Sequence, residues 1–243
     1  MARVILALSV SLGGLSLLGF GLFLAAGPFE LLPLGLAPAP ALAWDAALCL
    51  VFFAQHSGMV RRGFQARVAR FVPTHFHPAV YSIASGVALF ALVLLWQRSE
   101  VVLASASGVW RLALRALFLA TGPGFLWAVR SLGSLDAFGV GPVRAHRAGR
   151  EPRRPPLVVR GPYRWVRHPL YSLLLVMIWV CPDLTADRLL FNALFTAWIV
   201  VGTFLEERDL ARDLGEPYRE YQRQVPMLVP WKPPGPLPNG VTP

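Results

Sequence analysis

The sequence predicts an all-α, polytopic transmembrane protein of five to six membrane helices, closed by a C-terminal helical hairpin. Three observations carry this prediction. Apolar residues make up 55% of the 243 positions and charged residues only 15%, against a charged share of roughly 25% in soluble domains. The apolar residues also stand in long blocks rather than at amphipathic spacing, and such blocks need lipid around them. Finally, arginines gather in alternate loops between the blocks, as topology-setting charges do.

Each element follows from these patterns. The block from Val4 to Ala26 exceeds the roughly 7–15 apolar residues of a signal-peptide core and reads as a retained spanning helix. Pro28, Pro33, Pro38 and Pro40 mark a connector, because proline lacks the amide donor that regular structure uses. Further helices are expected over Leu42–Met59, Ala79–Trp96 and Val109–Val129, with Trp96 at interfacial depth. From Arg130 to His168 the chain changes character, rich in Arg, Pro and Gly. The stretch Leu170–Val180 is too short to span alone at ~1.5 Å per residue. With Leu189–Leu205 it forms the hairpin. This divides the chain into four helices (1–130), a loop plus hairpin bearing the candidate site (131–230), and a tail read as disordered (231–243).

The loop charges give an orientation. With the N-terminus cytoplasmic, Arg61, Arg62, Arg67 and Arg70 lie on the cytoplasmic side, as do Arg144, Arg147, Arg150, Arg153 and Arg154. The opposite loops carry Glu30, Arg98, Glu100, Asp183 and Asp187. The net charge of +10 is thereby assigned to topology rather than to nucleic acid. Cys49 and Cys181 lie in apolar runs with neither disulfide nor metal-ligand spacing. His75 and His77 have no evident third ligand, so no metal is expected. Membrane lipid is the expected surrounding partner.

Two segments could carry chemistry. In Gly161–Tyr171, Arg167 and His168 precede Pro169, which suits the first turn of a helix. A helix start with flanking cations can cradle an anion; the same residues also serve as a basic flank that sets topology. Glu206 and Glu207 follow the last apolar block, where acids at a helix C-terminus need compensation. Arg164 or Arg167 across the hairpin could supply it, and so could a cationic or hydroxyl-rich ligand. An anion cradle beside an acid pair suits a zwitterion.

The run Pro162-Tyr163, Arg167-His168-Pro169-Leu170-Tyr171, Glu206-Glu207-Arg208-Asp209-Leu210, Gly215-Glu216-Pro217-Tyr218, Tyr221 and Val225–Pro230 resembles the isoprenylcysteine carboxyl methyltransferase-like superfamily of membrane methyltransferases. Upstream, Gln55-His56-Ser57, Met59, Arg61, Phe64, Tyr81, Trp96-Gln97 and Asp136–Gly139 are similar to its methanethiol S-methyltransferase and NnrU-type branch. The resemblance implies S-adenosyl-L-methionine as cofactor and a small apolar thiol, such as methanethiol, as acceptor. It implies a cofactor pocket of Tyr163, Arg167, His168, Pro169, Tyr171, Glu206 and Glu207, with Arg167 and His168 toward the methionyl carboxylate. Gln55, Ser57, Tyr81 and Asp136 become candidate acceptor contacts. His56 is the candidate general base, although a thiol needs only to ionise.

The chain departs from the pattern at three places. Leu173 stands where the superfamily usually has a glycine, and its side chain would crowd a cofactor. Leu135 replaces a usual histidine, and His77–Tyr81 replaces a usual Glu-Arg-Ser-Thr-Tyr run. Rival readings are a non-catalytic NnrU-type assembly or regulatory protein, and a carboxyl methyltransferase acting on a prenylated cysteine or lipid-like acceptor. No glycine fingerprint for a dinucleotide is present.

Overall fold

The computed structural model describes residues 2–133, 135–150 and 157–234. In chain order the elements are α1 (Ala2–Ala26), α2 (Pro38–Met59), α3 (Arg62–Val68), α4 (His77–Leu95), β1 (Val102–Ser105), α5 (Gly108–Leu132), α6 (Val140–Arg147), α7 (Pro169–Trp179), β2 (Asp183–Thr185), α8 (Ala186–Leu214) and α9 (Glu216–Gln224). Strands β1 and β2 pair as a two-stranded sheet. Among the described residues, five helical stretches are long and apolar enough to cross a membrane: α1, α2, Thr74–Leu95, α5 and α8. The all-α polytopic architecture is therefore as expected. Helix α7, with 11 residues, is only ~16 Å long at 1.5 Å per residue.

The chain divides into two compact units that interleave along the sequence. The first holds Met1–Ala104, Asp136–Arg153 and Leu184–Leu194. Its α1 buries Ser9, Gly13, Ser16, Phe20, Phe23 and Leu24 along one stripe. A Cβ on Gly13 would come within 2.8 Å of Ser82 Oγ, and one on Gly86 within 3.0 Å of the Leu12 carbonyl. Helices α1 and α4 thus meet through small residues, which allow the close backbone approach that membrane helices rely on. Below the stripe, Phe23, Trp96 and Phe191 pack edge to face at 5.4–5.6 Å between ring centroids.

Trp96 is 2% exposed, packed inside the protein. Its indole donates to Asp187 Oδ2 at 3.0 Å, and the Ser99 amide donates to Asp187 Oδ1 at 3.1 Å. The Gln97 amide donates to Asp45 Oδ1 at 2.9 Å. Two buried acids from α2 and α8 therefore hold the chain where it leaves α4, since backbone amides removed from water need acceptors.

The motif Asp136–Gly139 has a local explanation. Asp136 accepts the Val140 and Gly141 amides at 2.8 and 2.7 Å, capping α6. Phe138 fills the space left by Gly13, and Gly139 (φ +68°) lies so close to the Ala79 backbone that no Cβ would fit.

The second unit holds Ser105–Leu135, Arg154–Asp183 and Phe195–Pro243. Here α5 packs on α7. Gly161 (φ +57°) lets the turn Gly161–Arg164 press on Ser131 of α5, leaving no room for a Cβ. Helix α8 runs nine residues beyond the expected Leu205, to Leu214. The polar run after Leu205 continues the helix because it contains no breaker before Gly215. Glu206 and Glu207 are thus inside a helix rather than at its C-terminus. Helix α9 buries Tyr218 and Tyr221 with Val225 against Val159. Of the tail, residues 231–234 form neither helix nor strand, and 235–243 lie outside the described residues.

Candidate functional site

The second unit is organised around one carboxylate. Glu207, 5% exposed, accepts at Oε1 from Arg167 Nε (2.8 Å), His168 Nε2 (2.7 Å) and the Tyr218 hydroxyl (2.8 Å). Its Oε2 accepts from Arg167 Nη2 and Gln222 Nε2 at 2.8 and 2.6 Å. Charge-assisted bonds of this number offset the cost of burying the ion pair.

Arg167 is equally committed. Its Nη1 donates to the carbonyls of Gln222 (3.0 Å) and Val225. The backbone joins in, with the Arg167 and His168 amides donating to Pro226 and Met227 at 2.9 and 3.2 Å. Ser172 Oγ lies 2.6 Å from the Leu228 carbonyl, and the Tyr221 hydroxyl donates to the Tyr163 carbonyl at 2.6 Å. These bonds tie the start of α7, the middle of α8 and the segment after α9 into one rigid corner. Burial and the adjoining Glu207 carboxylate raise the Tyr218 phenol above its ordinary value. Burial, with the charge of Glu206 adding to it, pushes the Tyr163 phenol up to about 12, so both stay protonated donors at neutral pH.

Glu206 differs. Successive helical residues point about 100° apart, and the Glu206 side chain keeps 42% exposure. Its Oε2 accepts from the Tyr171 hydroxyl at 2.8 Å and stands 3.9 Å from His168 Nδ1. The imidazole and the Tyr171 ring stack at 5.5 Å and 11°. A carboxylate only accepts, so His168 Nε2 carries a proton toward Glu207, and Glu206 is the half-exposed carboxylate beside the ring.

The expected residues sort as follows. Tyr163, Arg167, His168, Pro169, Tyr171, Glu206 and Glu207 come together in this corner, Pro169 opening α7. Arg167, expected to face a ligand carboxylate, meets Glu207 instead, because the fold brings that acid 2.8 Å away. The Leu173 side chain lies on Gly124 of α5, where a Cβ would come within 2.8 Å of it. Tyr218 and Gln222 were missed as site residues; the spacing of Tyr218, Tyr221 and Val225 on one helical face was the available signal.

The upstream residues belong to the first unit. Tyr81 places its hydroxyl 2.6 Å from His56 Nε2. Gln55 Nε2 donates to Ser85 Oγ at 3.2 Å, and its Oε1 is buried without a hydrogen-bond partner. Ser57 lies on α2 beside them. Both oxygens of Asp136 accept the α6 amides, a capping role.

Comparison with known proteins shows the family. The model of the isoprenylcysteine carboxyl methyltransferase (ICMT) family matches residues 139–208. A methanethiol S-methyltransferase of Pseudomonas sp. (strain GM41(2012)) is 38% identical over 187 residues, covering 76% of this chain and 72% of that protein. One from Mycobacterium tuberculosis is 36% identical over 182 residues, covering 74% and 75%. Nurim of Rattus norvegicus is 28% identical over 181 residues, covering 70% and 68%. No solved structure matches. Apolar helices and relatives together define an integral membrane methyltransferase. The chain belongs to the isoprenylcysteine carboxyl methyltransferase-like superfamily, in the branch that holds the methanethiol S-methyltransferases.

Proposed function

We propose that the chain transfers the methyl group of S-adenosyl-L-methionine to a small apolar thiol, such as methanethiol, producing a thioether. The observation that carries this reading is the half-exposed Glu206 carboxylate of the second unit, held by Tyr171 beside the His168 ring. The cofactor presents an ammonium and ribose hydroxyls, the donors a carboxylate takes. The first-turn amides of α7, unsatisfied within the helix, suit its carboxylate.

When bound, the cofactor would supply a sulfonium methyl group for transfer to the thiolate sulfur, its own sulfur keeping the bonding pair. The thiol proton leaves to water. The protein's part is alignment, with reacting atoms ≈ 3–3.5 Å apart. Glu206 holds the cation or hydroxyls, Tyr171 fixes the Glu206 carboxylate, and Glu207 with Arg167 fixes the His168 ring. His56, bonded to Tyr81 in the first unit, is the candidate to relay that proton to water. The arginine loops put the N-terminus and this corner on the cytoplasmic side, from which the cofactor enters.

Calorimetric titration of the detergent-purified protein with S-adenosylmethionine and S-adenosylhomocysteine tests this. Saturable binding that is lost in Glu206→Ala and His168→Ala, both still folded, is the expected result. No binding to folded wild-type protein sinks the reading in favour of a non-catalytic role in assembly or regulation.

A further inference from the structure

Helix α3 (Arg62–Val68) buries none of its residues. It joins two spanning stretches, α2 ending at Met59 and Thr74–Leu95, so it stands at the membrane surface on the face where both emerge. Its seven residues make a helix that is marginal in water, and it needs a surface to lie on. Packed protein does not supply one. Between α3, the end of α2 and the start of α4 lies a cavity of about 580 Å³, within the ≈ 300–1,000 Å³ of small-molecule sites. Phe64, Ala66, Val68 and Ala69 of the α3 segment line it, facing Met59 and Val80. Water finds few partners along such walls, whereas a hydrocarbon chain fits them.

The other side of α3 has the opposite character. At about 100° per residue, Arg67 and Arg70 fall across the helix from Val68 and Ala69, and both are exposed. From Val60 to Pro78 the chain holds four arginines and neither Asp nor Glu. Phe71, just past the helix, is 88% exposed, and Val60, just before it, 47%. An apolar side over an apolar space, a cationic side and exposed apolar flanks mark a helix that lies in the plane of the membrane interface.

We propose that α3 seats an anionic phospholipid. An acyl chain fills the cavity beneath the helix, and the phosphate lies against Arg67 and Arg70, whose long stems reach round the helix edge to headgroup height. Positive charge without neighbouring acids in the segment selects an anionic headgroup over a zwitterionic one. The seat lies wholly within the first unit and is independent of the methyl-transfer chemistry.

The experiment is native mass spectrometry of the full chain released from detergent, after incubation with equal amounts of dioleoyl-phosphatidylglycerol and dioleoyl-phosphatidylcholine. Thermal unfolding checks that each variant is folded. Retention of phosphatidylglycerol over phosphatidylcholine is the expected result, with the preference falling about fivefold in Arg67→Gln and again in Arg70→Gln. Ala69→Trp, which fills the cavity from an exposed position on the turn after α3, should reduce retention of both lipids. Equal retention of the two lipids by the wild-type protein overturns the inference. So does a preference that survives the double Arg67→Gln, Arg70→Gln variant, or lipid retention that Ala69→Trp leaves untouched. Dimers in the same spectra that Phe71→Ser dissociates would assign this face to a second copy of the chain and overturn it as well.

Discussion

The Glu207 corner of the second unit and the His56–Tyr81 edge of the first use polar groups in opposite ways. In the corner, Glu207 accepts from Arg167, His168, Tyr218 and Gln222, and Arg167 donates onward to two carbonyls. The Glu207 oxygens and the Arg167 guanidinium are thus spent on each other and on their neighbours. At the edge, Gln55 Oε1 has no hydrogen-bond partner, and a cavity adjoins Tyr81. A saturated network fixes geometry, whereas an unsaturated one beside open space retains binding capacity. The same contrast recurs within the corner on a smaller scale, between Glu207 and its half-exposed neighbour Glu206.

The largest effect should come from breaking the knot. Glu207→Ala strands the Arg167 charge, which is 9% exposed, and should cost about 3–5 kcal/mol. Thermal unfolding in detergent would measure it, and a loss under 1 kcal/mol would mean that the knot is not the keystone described. Next is Glu206→Gln, which keeps the shape and removes the charge. With charged hydrogen bonds worth about 1.5–3 kcal/mol, S-adenosylmethionine should bind about 10- to 150-fold more weakly while the melting temperature barely moves. An unchanged affinity would end the distinction between the two acids.

Tyr81→Phe should be milder. Losing one hydrogen bond of about 0.5–1.5 kcal/mol should lower kcat for thiols severalfold and displace the pH–rate profile, because His56 loses the Tyr81 hydroxyl. A profile superimposable on wild type would remove His56 and Tyr81 from the reaction. The smallest change expected is Asp136→Ala. Loss of the α6 cap should cost about 0.5–2 kcal/mol with the thiol KM unaltered. A raised KM at full stability would return Asp136 to the acceptor site.

Much of the fold was legible in the sequence because lipid imposes a simple rule. Every spanning segment must be a long apolar helix, and the starts and ends of α1, α4 and α5 fall within three residues of those read from the blocks. The exceptions have local causes. Helix α2 begins at Pro38, four residues before the expected Leu42, since proline is at no disadvantage in a first turn. Helices α3, α6 and α9 are short and polar, so they lack the apolar signal altogether.

Residue types at the site were legible too. Arg167, His168, Tyr171, Glu206 and Glu207 drew attention because charges beside apolar blocks demand compensation. Their division of labour was not. Which of two adjacent glutamates turns inward depends on helix phase and on what lies opposite: α9 supplies Tyr218 and Gln222, which lie 11 and 15 residues beyond Glu207. Likewise, the seat of the Leu173 side chain on Gly124, remote in sequence, was not legible. The sequence by itself determined the membrane helices, their order and the inventory of charged groups, since hydropathy and charge are properties of single segments. Only the tertiary structure decided which acid is spent on holding the corner and which remains open to a ligand, because hydrogen-bond saturation is settled between segments far apart in the chain.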